Sequence, residues 1–368
     1  MAPPRPVSNP PNPWESTCLE WLEEPPAAAL EVYEEEARSI LAENQSPDLG
    51  FRFSVNPYRG CWHACAYCYA RPSHQWLGFG AGTDFERRIV VKRNAPRLLR
   101  RELGRRGWQR ELVVFSGDTD CYQPLEASYG LTRACLEVCG EHSTPVGVIT
   151  KSALVRRDVD LLAELARRGL ATVHLSIPFA DAELARRIEP FAPPPARRFE
   201  TLRILSDAGV PTGVSVSPLI PALNDAQVPE ILERARQAGA RFAFSTLLRL
   251  PGEVRAVFEA RLREALPLRA EHVLSALRDA RGGRLTESAF FERQRGRGPR
   301  WAILRDLFEL HRRRLGFEDS GSRRGGPAPA EERGPEAPSS APQSAGRQLA
   351  LFAAEPPPPA RARGRRAR

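Results

Sequence analysis

The sequence lacks long apolar segments and is almost without lysine. No run of about 18 consecutive apolar residues occurs in the 368 residues, which excludes a transmembrane helix. The first residues, Met1–Pro6, have no apolar region of the kind a signal peptide needs, so we expect a cytoplasmic protein that is not secreted. Of the 54 basic residues only Lys92 and Lys151 are lysine, and a lysine retained in so arginine-rich a chain is informative about its position.

The chain also lacks the signs of a disulfide framework. Its seven cysteines are an odd number, and nothing predicts export to an oxidising compartment, so free thiols are expected. Three of the cysteines fall within eight residues, at Cys61, Cys65 and Cys68. In a cytoplasmic protein such clustering indicates a metal or redox site. The formal net charge of +9 points to an anionic partner. This indication is weak, because the arginines that produce the charge are abundant throughout the chain.

Apolar runs of strand length alternate with amphipathic helical patterns between about residues 50 and 265. The predicted strands lie at 51–55, 112–115, 146–149, 171–176, 212–216 and 242–245. The predicted helices lie at 129–141, 159–168, 199–208, 228–238 and 254–265. This alternation predicts βαβ units and a parallel sheet. Six units are fewer than the eight of a closed barrel, so the predicted fold class is α/β, a partial (β/α)6 barrel of the TIM type.

Segments of different composition flank this barrel. Residues 1–45 are predicted to form a proline-rich N-terminal extension with two short helices, and the core is assigned to residues 46–295. Two further helices are expected between residues 285 and 315, the last of them in a C-terminal helical segment at 296–317. Residues 318–368 contain mainly Pro, Gly, Ser, Arg and Glu, a composition that predicts a disordered tail.

Three cysteines share one short segment with the spacing C-x3-C-x2-C: Cys61, Cys65 and Cys68. Thiolates select zinc, Cu(I) or iron–sulfur clusters. A structural zinc site takes four ligands, whereas three thiolates suit a [4Fe–4S] cluster with one open iron. The segment follows the predicted strand at 51–55, so it lies at the edge of the sheet where barrel enzymes carry their chemistry. A zinc knuckle completed by His63 or His74, or cysteines that only pack in the core, are the alternatives.

This spacing, with an aromatic residue directly before the last cysteine, resembles the radical S-adenosylmethionine (SAM) superfamily over roughly residues 45–295. The resemblance implies that the open iron binds the amino and carboxylate groups of SAM. It implies further that one electron cleaves SAM to a 5′-deoxyadenosyl radical, which takes a hydrogen atom from the substrate. The protein then has to hold SAM, exclude water and aim the radical, while a separate reductase supplies the electron.

The tyrosines on either side of the third cysteine, Tyr67 and Tyr69, resemble the pattern of the spore photoproduct lyase family, which splits a thymine dimer in DNA. The segments 56–61 and 69–72 are similar to bacterial radical SAM proteins grouped with that lyase, whose substrate is unassigned. The likeness implies radical transfer through the tyrosines, with plain packing as the alternative. The lyase has a hydrogen-donating cysteine at the end of its second strand. Here Cys121 lies several residues further on, which leaves its role as donor, and dimer repair itself, open.

The resemblance also implies SAM contacts at the turn after the second strand of the core. This turn reads Ser116-Gly117-Asp118. In the superfamily a glycine-containing motif meets the SAM amino group here, since glycine permits close backbone approach, and Asp118 can accept from the ammonium. An ordinary β–α turn is the alternative.

Two further SAM-binding residues are implied at the ends of the third and fourth strands. Lys151 and Ser176 match a lysine and a serine of the lyase-like proteins. A compact ammonium is suited to pair with the SAM carboxylate. Alternatively, Lys151 forms a surface ion pair with Asp158 or Asp160, and Ser176 only caps its strand.

One short apolar island interrupts the C-terminal tail, at residues 348–352. Its candidate anchors are Gln348, Leu349, Leu351 and Phe352. A solitary apolar pentapeptide in a polar tail is typical of docking motifs that order on a partner. The pattern resembles the motif by which bacterial replication and repair proteins bind the DNA sliding clamp. A chance run, or a short helix folded back on residues 300–315, are the alternatives.

The sequence as a whole therefore predicts a cytoplasmic radical SAM enzyme that uses a [4Fe–4S] cluster and SAM and acts on damaged DNA or another nucleic acid. The rival prediction is a non-catalytic zinc- or cluster-binding nucleic-acid protein. A third prediction keeps the radical chemistry but assigns it a peptide or a small molecule as substrate.

Overall fold

A mainly parallel sheet forms the centre of the computed structural model, which describes residues 29–318. The strands in this range are β1 (Glu31–Glu35), β2 (Leu41–Glu43), β3 (Phe53–Val55), β4 (Tyr58–Arg59), β5 (Arg88–Lys92), β6 (Val113–Phe115), β7 (Val146–Thr150), β8 (Ala171–Ser176), β9 (Thr212–Leu219) and β10 (Phe242–Leu247). Seven of them form one sheet in the order β10-β9-β8-β7-β6-β3-β2. Six strands run parallel, and β2 pairs antiparallel with β3.

Helices connect and cover these strands. They are α1 (Thr83–Arg87), α2 (Ala95–Leu103), α3 (Glu126–Tyr129), α4 (Leu131–Glu141), α5 (Val159–Arg167), α6 (Ala182–Ile188), α7 (Pro195–Asp207), α8 (Val228–Gln237), α9 (Val254–Ala265), α10 (Ala270–Ala280) and α11 (Pro299–Arg314). No helix in the described range is long and apolar enough to cross a membrane.

The predicted (β/α)6 arrangement is confirmed. Each predicted strand is present, and the one at 171–176 has the predicted limits. In the described part of the chain, β10 and β2 end the sheet, so it does not close into a full barrel. Alternate strand residues such as Val148 and Val173, which are register partners, are fully buried in the same core as Leu162 of α5 and Leu202 of α7. Each such side chain contributes about 1.5–3 kcal/mol of burial free energy.

The prediction of helices in the N-terminal extension is wrong over residues 31–43, which form two strands. β1 pairs parallel with β5, and Glu31 and Glu35 face Arg88 and Arg59 across the strands at 3.5 and 3.7 Å. β2 completes the edge of the main sheet next to β3. Pairing with strands that come later in the chain therefore overrides the local helical pattern, and this segment is part of the core fold.

The prediction of two helices between residues 285 and 315 is half right. α11 fills most of the predicted C-terminal segment, and its Trp301, Leu304 and Phe308 are buried. Residues 285–298 are irregular instead. A Cβ at Gly296 or Gly298 would lie within 2.2 Å of carbonyl oxygens at the end of α10, so only glycine lets this segment pack there. The sequence pattern missed α10 itself. Residues 1–28 and 319–368, which include Cys18 and the apolar island at 348–352, lie outside the described residues.

Candidate active site

The three clustered cysteines lie on a loop that follows β3 and β4 at the carboxyl edge of the parallel strands. Cys61 and Cys65 are buried and Cys68 is partly buried, and all three are free thiols. Gly60 opens the loop with φ +77°, and a Cβ there would lie 2.8 Å from the Phe85 carbonyl oxygen. Only glycine fits this entry, because both the conformation and the space exclude a side chain.

Neighbouring elements satisfy the polar backbone groups of the loop. The Cys61 amide donates to the Phe85 carbonyl at 2.9 Å, and the Ala66 amide donates to the Ile188 carbonyl at 2.9 Å. Gln123 serves two more groups, because its Oε1 accepts from the Trp62 amide at 3.1 Å while its Nε2 donates to the Gly60 carbonyl at 3.1 Å. The loop is thus held from several sides, and the thiols are presented by a fixed backbone.

Two arginines bind the carbonyl oxygens in the middle of the loop. Arg71, which has no exposed surface, donates to the Cys65 carbonyl at 2.8 Å. Arg261 on α9 donates to the Ala64 carbonyl at 2.8 Å. Both guanidinium groups pair with the buried carboxylate of Glu86, which offsets one of their two positive charges. Ala64 has φ +56°, an unfavourable conformation for alanine that these contacts hold in place.

The thiols interact with one another. Burial raises the pKa of Cys61 well above its ordinary value, and Asp120, Cys68 and Cys65 raise it further. Burial also raises the pKa of Cys65 to about 12, although Lys151 lowers it. Three crowded, buried thiols form a soft donor set, and a bound cationic centre would favour their thiolate form.

The chemistry of this donor set suits a [4Fe–4S] cluster, in which each of the three thiolates binds a different iron. A structural zinc site takes four ligands instead. The histidines proposed to complete a zinc knuckle have other neighbours. His63 Nδ1 lies 3.4 Å from Asp120, and His74 packs against Phe79 and Phe85.

Tyr67 points into a buried ionic network. Its hydroxyl donates to Glu189, which also pairs with Arg198 at 2.5 Å. Both members of this ion pair are almost completely buried. Arg198 donates in addition to the carbonyl of Ser176 at 3.0 Å, so the network ties the cysteine loop to the end of β8. Glu189 and Arg198 are thus engaged with each other inside the fold.

Lys151 lies beside the same network. Its Nζ is 5.5 Å from the centre of the Tyr67 ring. Burial lowers the pKa of Lys151, but Cys65 and Glu189 outweigh burial and the net shift is upward. The surface ion pair considered for Lys151 is not formed, because Asp158 and Asp160 pair with arginines instead. The ammonium is therefore held charged next to the cysteines.

The turn after β6 lies beside the other tyrosine. The half-exposed Tyr69 donates from its hydroxyl to the Gly117 carbonyl at 2.8 Å. A Cβ at Gly117 would lie 2.8 Å from Ser54 of β3, so only glycine lets the turn approach that strand. Ser116 has φ +72°, and its hydroxyl accepts from the Cys121 amide at 2.9 Å.

Asp118 is held in the same turn. Its amide donates to Asn56 Oδ1 at 2.9 Å, and its carboxylate accepts from the Ser73 hydroxyl at 3.2 Å. Burial raises the pKa of this carboxyl group, although Ser73 and Lys92 lower it. Lys92 donates to the Asn56 carbonyl at 3.0 Å. Both lysines of the chain thus lie at predicted cofactor-binding positions or next to them.

A comparison with known families assigns the chain. A family model described as the Radical SAM superfamily matches residues 55–235, a span that holds the cysteine loop, Lys151 and Ser176. The chain belongs to the radical SAM superfamily. Members of this superfamily use a [4Fe–4S] cluster and SAM as cofactors, and the rival prediction of a non-catalytic metal-binding protein is not supported.

The names of related proteins do not identify a substrate. An uncharacterized protein of Mycobacterium tuberculosis is 39% identical over 221 residues, which are 60% of this chain and 65% of the relative. The chain thus spans less than two thirds of that relative's length. An uncharacterized protein of Methanocaldococcus jannaschii is 30% identical over 198 residues, which are 54% of this chain and 71% of the relative.

Solved structures agree on the radical SAM fold. Spore photoproduct lyase complexed with dinucleoside spore photoproduct superposes with a TM-score of 0.58 at 15% identity, over 78% of this chain and 80% of the lyase. A variant of that lyase with bound AdoMet and the dinucleoside spore photoproduct gives a TM-score of 0.56 at 16% identity. At such identities the likeness shows a shared fold.

Cys121 lies in the core next to the turn after β6. Its side chain is fully buried in the main core, and its carbonyl accepts from the Thr132 hydroxyl of α4 at 2.6 Å. Burial raises the pKa of the thiol well above its ordinary value, and Asp120 raises it further. The neighbours of Cys121 are thus the turn after β6 and α4, and its role as a hydrogen donor stays a prediction.

Sequence reasoning missed the residues that hold the loop: Arg71, Glu86, Gln123 and Arg261. Arg71 lies within the segment 69–72 that carried the family resemblance, so a signal for it existed. Glu86 and Arg261 are 175 residues apart, and no local pattern connects them.

Proposed function

We propose that this radical SAM enzyme acts on a lesion in DNA or on another nucleic acid, and that Cys61, Cys65 and Cys68 bind its cluster. When bound, the cluster supplies the electron that cleaves SAM to a 5′-deoxyadenosyl radical, which takes a hydrogen atom from the substrate. The tasks left to the chain are to hold the thiols, orient SAM and shield the radical from water.

The residues around the loop divide these tasks. The Lys151 ammonium binds the SAM carboxylate, and the turn at Gly117 and Asp118 receives the SAM ammonium. The raised pKa of Lys151 keeps it charged for this role. Ser176, at the end of β8 and 6% exposed, adds a hydroxyl that can hydrogen-bond SAM. Glu189, which is paired with Arg198, fixes the side chain of Tyr67 by accepting a hydrogen bond from its hydroxyl.

The different settings of the two tyrosines carry the proposal. Tyr67 is buried on the network side of the loop, whereas Tyr69 is 51% exposed and hydrogen-bonded to the turn at Gly117. Tyr69 therefore joins the predicted SAM site to the open surface. An exposed aromatic ring at that position suits a bulky substrate that stays outside the pocket and presents one base to it, because bases stack on aromatic rings.

Anaerobic reconstitution with iron, sulfide, SAM and dithionite tests this function. UV-irradiated thymine-rich oligonucleotides should increase formation of 5′-deoxyadenosine several-fold over unirradiated ones, and chromatography should show loss of the lesion. Tyr69→Phe should keep the cluster but lower turnover of the lesion. If irradiated and unirradiated DNA give the same rate while a peptide or small-molecule pool raises it, the nucleic-acid substrate is refuted.

We also propose that the C-terminal island binds the DNA sliding clamp. Gln348, Leu349, Leu351 and Phe352 carry this proposal by their sequence pattern alone, since they lie outside the described residues. Docking on the clamp would bring the enzyme to newly copied DNA. Binding to the clamp would therefore favour DNA over a free small molecule as the substrate.

Location and electron supply complete the proposal. We place the enzyme in the cytoplasm, where a reductase delivers the electron. The cysteines within the described residues are all free thiols, as a reducing compartment favours.

A further inference from the structure

Three arginines gather where the loop after β10 approaches the cysteine loop. Arg249 follows β10 by two residues, and the adjacent Leu248 amide donates to the Leu219 carbonyl at the end of β9. Arg281 on the segment after α10 donates to the Leu248 carbonyl at 2.7 Å. Arg293 belongs to the irregular segment before α11. This corner therefore lies at the carboxyl edge of the sheet, on the side of the predicted chemistry.

Two of the three guanidinium groups have internal partners. Arg293 makes a two-pronged ion pair with Asp48, with N–O distances of 2.5 and 2.7 Å. Arg281 is 5% exposed and binds backbone carbonyl oxygens, including that of Arg293 at 3.1 Å. The guanidinium groups of Arg281 and Arg293 thus have most of their hydrogen-bond donors satisfied by groups of the protein itself.

Arg249 differs from both. Within residues 29–318 its guanidinium makes no hydrogen bond or ion pair, and its Nε is buried. A buried donor without a partner destabilises the fold, and a guanidinium with no partner on any of its nitrogens calls for an explanation, which a ligand bound during function supplies. Burial and Arg293 lower the pKa of Arg249, while Tyr69 and Asp48 raise it, which places all of these groups close together.

The corner is also short of negative charge and rich in exposed aromatic surface. Arg249 lowers the pKa of Arg281, which burial already depresses, to about 10. Like charges in mutual contact oppose one another unless an anion joins them. Tyr69 and Phe290 are each 51% exposed here, and Arg293 lies 4.9 Å from the centre of the Phe290 ring.

We propose that Arg249 binds a phosphate group of the substrate beside Tyr69. The inference rests on the proposed function, because that function places the radical chemistry at the cysteine loop next to this corner. A guanidinium with its donors free suits phosphate oxygens, and the exposed rings suit an adjoining base. The phosphate belongs to a phosphodiester or to a phosphorylated small molecule, and the two sources are separable.

The test pairs one change in the protein with one in the ligand. Calorimetry on the reconstituted full-length protein compares thymidylyl-thymidine with its neutral methylphosphonate analogue, which differs by a single charge. Wild type should bind the charged probe about tenfold more tightly, and Arg249→Gln should bind both alike. Arg255→Gln is the matched control, because Arg255 is a surface arginine of α9 paired with Glu259, and it should discriminate as wild type does.

The source of the phosphate follows from two more probes. Arg249-dependent binding of thymidine 5′-monophosphate or inorganic phosphate, without such binding of the dinucleotide, assigns the site to a phosphorylated small molecule. Equal affinity of wild type for the charged and neutral dinucleotides, together with no Arg249-dependent binding of either phosphate, overturns the inference. The comparison of the charged with the neutral dinucleotide uses wild-type protein alone, so it can be made even if Arg249→Gln fails to fold.

Failure of the inference and failure of the proposed function are distinguishable. Iron content and SAM affinity are measured on the same wild-type samples. A protein that holds the cluster and SAM but does not discriminate between the probes loses only the phosphate site. A protein that holds neither loses the function itself.

Discussion

Nη1 of Arg261 lies 2.8 Å from the carbonyl oxygen of Ala64, and this contact joins α9 to the loop of the three cysteines. The other arm of Arg261 pairs with Glu86 at 2.7 Å, and Glu86 also pairs with the fully buried Arg71. A single carboxylate thus pairs with both arginines that hold the loop and offsets one of their two positive charges. The conformation of the loop depends on this one charge, although none of the three residues carries a thiol.

Loss of the Glu86 carboxylate should therefore destabilise both the fold and the cluster site. Glu86→Ala leaves two buried cations unpaired, and breaking such pairs costs about 3–5 kcal/mol. Urea denaturation measures the loss, and iron content after reconstitution should fall with it. Glu230→Ala is the control, since Glu230 is 57% exposed and pairs with Arg234 on one helix; it should cost under about 1 kcal/mol. Equal costs for the two variants would show that the ion pairs do not hold the loop.

The cysteine assignment has a built-in set of controls. Cys61→Ala, Cys65→Ala or Cys68→Ala should each abolish assembly of the [4Fe–4S] cluster, because each removes one of the three protein ligands. Three buried core cysteines serve as matched controls: Cys121, Cys135 and Cys139. Their alanine variants should keep the iron and sulfide content of wild type. Iron and sulfide analysis with absorbance near 400 nm decides the matter. A full cluster in Cys65→Ala would refute the ligand set.

Lys151 offers a test of the SAM contacts. Lys151→Ala should keep the cluster but weaken SAM binding by about 1.5–3 kcal/mol, the cost of losing a charged hydrogen-bond partner. Calorimetry on anaerobically reconstituted protein measures the affinity. Arg255→Gln, which removes a positive charge from the surface of α9, should bind SAM as wild type does. Unchanged SAM affinity in Lys151→Ala would show that the Lys151 ammonium does not bind SAM and only packs against the Tyr67 ring.

The sequence predicted what local pattern determines. The strand at 171–176 and the helix at 254–265 have their predicted limits, because each is bounded by its own turn and carries its own buried face. The cysteine spacing and Lys151 were likewise readable, since the signal lies in the residues themselves. β1 was predicted as helix because its partner β5 lies about 57 residues further on. The contact of Ala64 with Arg261 spans 197 residues, and no periodicity records such a pair.

A buried histidine should make the fold sensitive to acid. His74 has no exposed surface, and burial lowers its pKa from 6.5 to about 4, with Asp84 opposing and Arg59 adding to the shift. The folded state therefore resists protonation, so stability is lost as pH falls from 6.5 towards 4. His74→Phe, which suits the packing against Phe79 and Phe85, should show a smaller fall in Tm between pH 7 and pH 5.

The control for this pH effect is His272→Gln, because His272 is exposed on α10. It should leave the dependence of Tm on pH as in wild type. An identical pH dependence in His74→Phe and wild type would show that protonation of His74 does not contribute to acid unfolding.

The clamp proposal predicts binding by the C-terminal island alone. A synthetic peptide covering residues 343–356 should bind purified bacterial sliding clamp with micromolar affinity, because Leu349, Leu351 and Phe352 supply the apolar anchors and Gln348 the polar contact. Replacing both Leu351 and Phe352 by alanine should remove binding, whereas replacing the flanking Ser344 should not. Fluorescence anisotropy measures the affinity, with an established clamp-binding peptide as positive control. Because an ordering cost accompanies the docking of a flexible peptide, the affinity should be modest even when the anchors fit. Absence of binding at high clamp concentration would remove this support for a substrate in DNA, and would leave Tyr69 and the arginine corner as its remaining grounds.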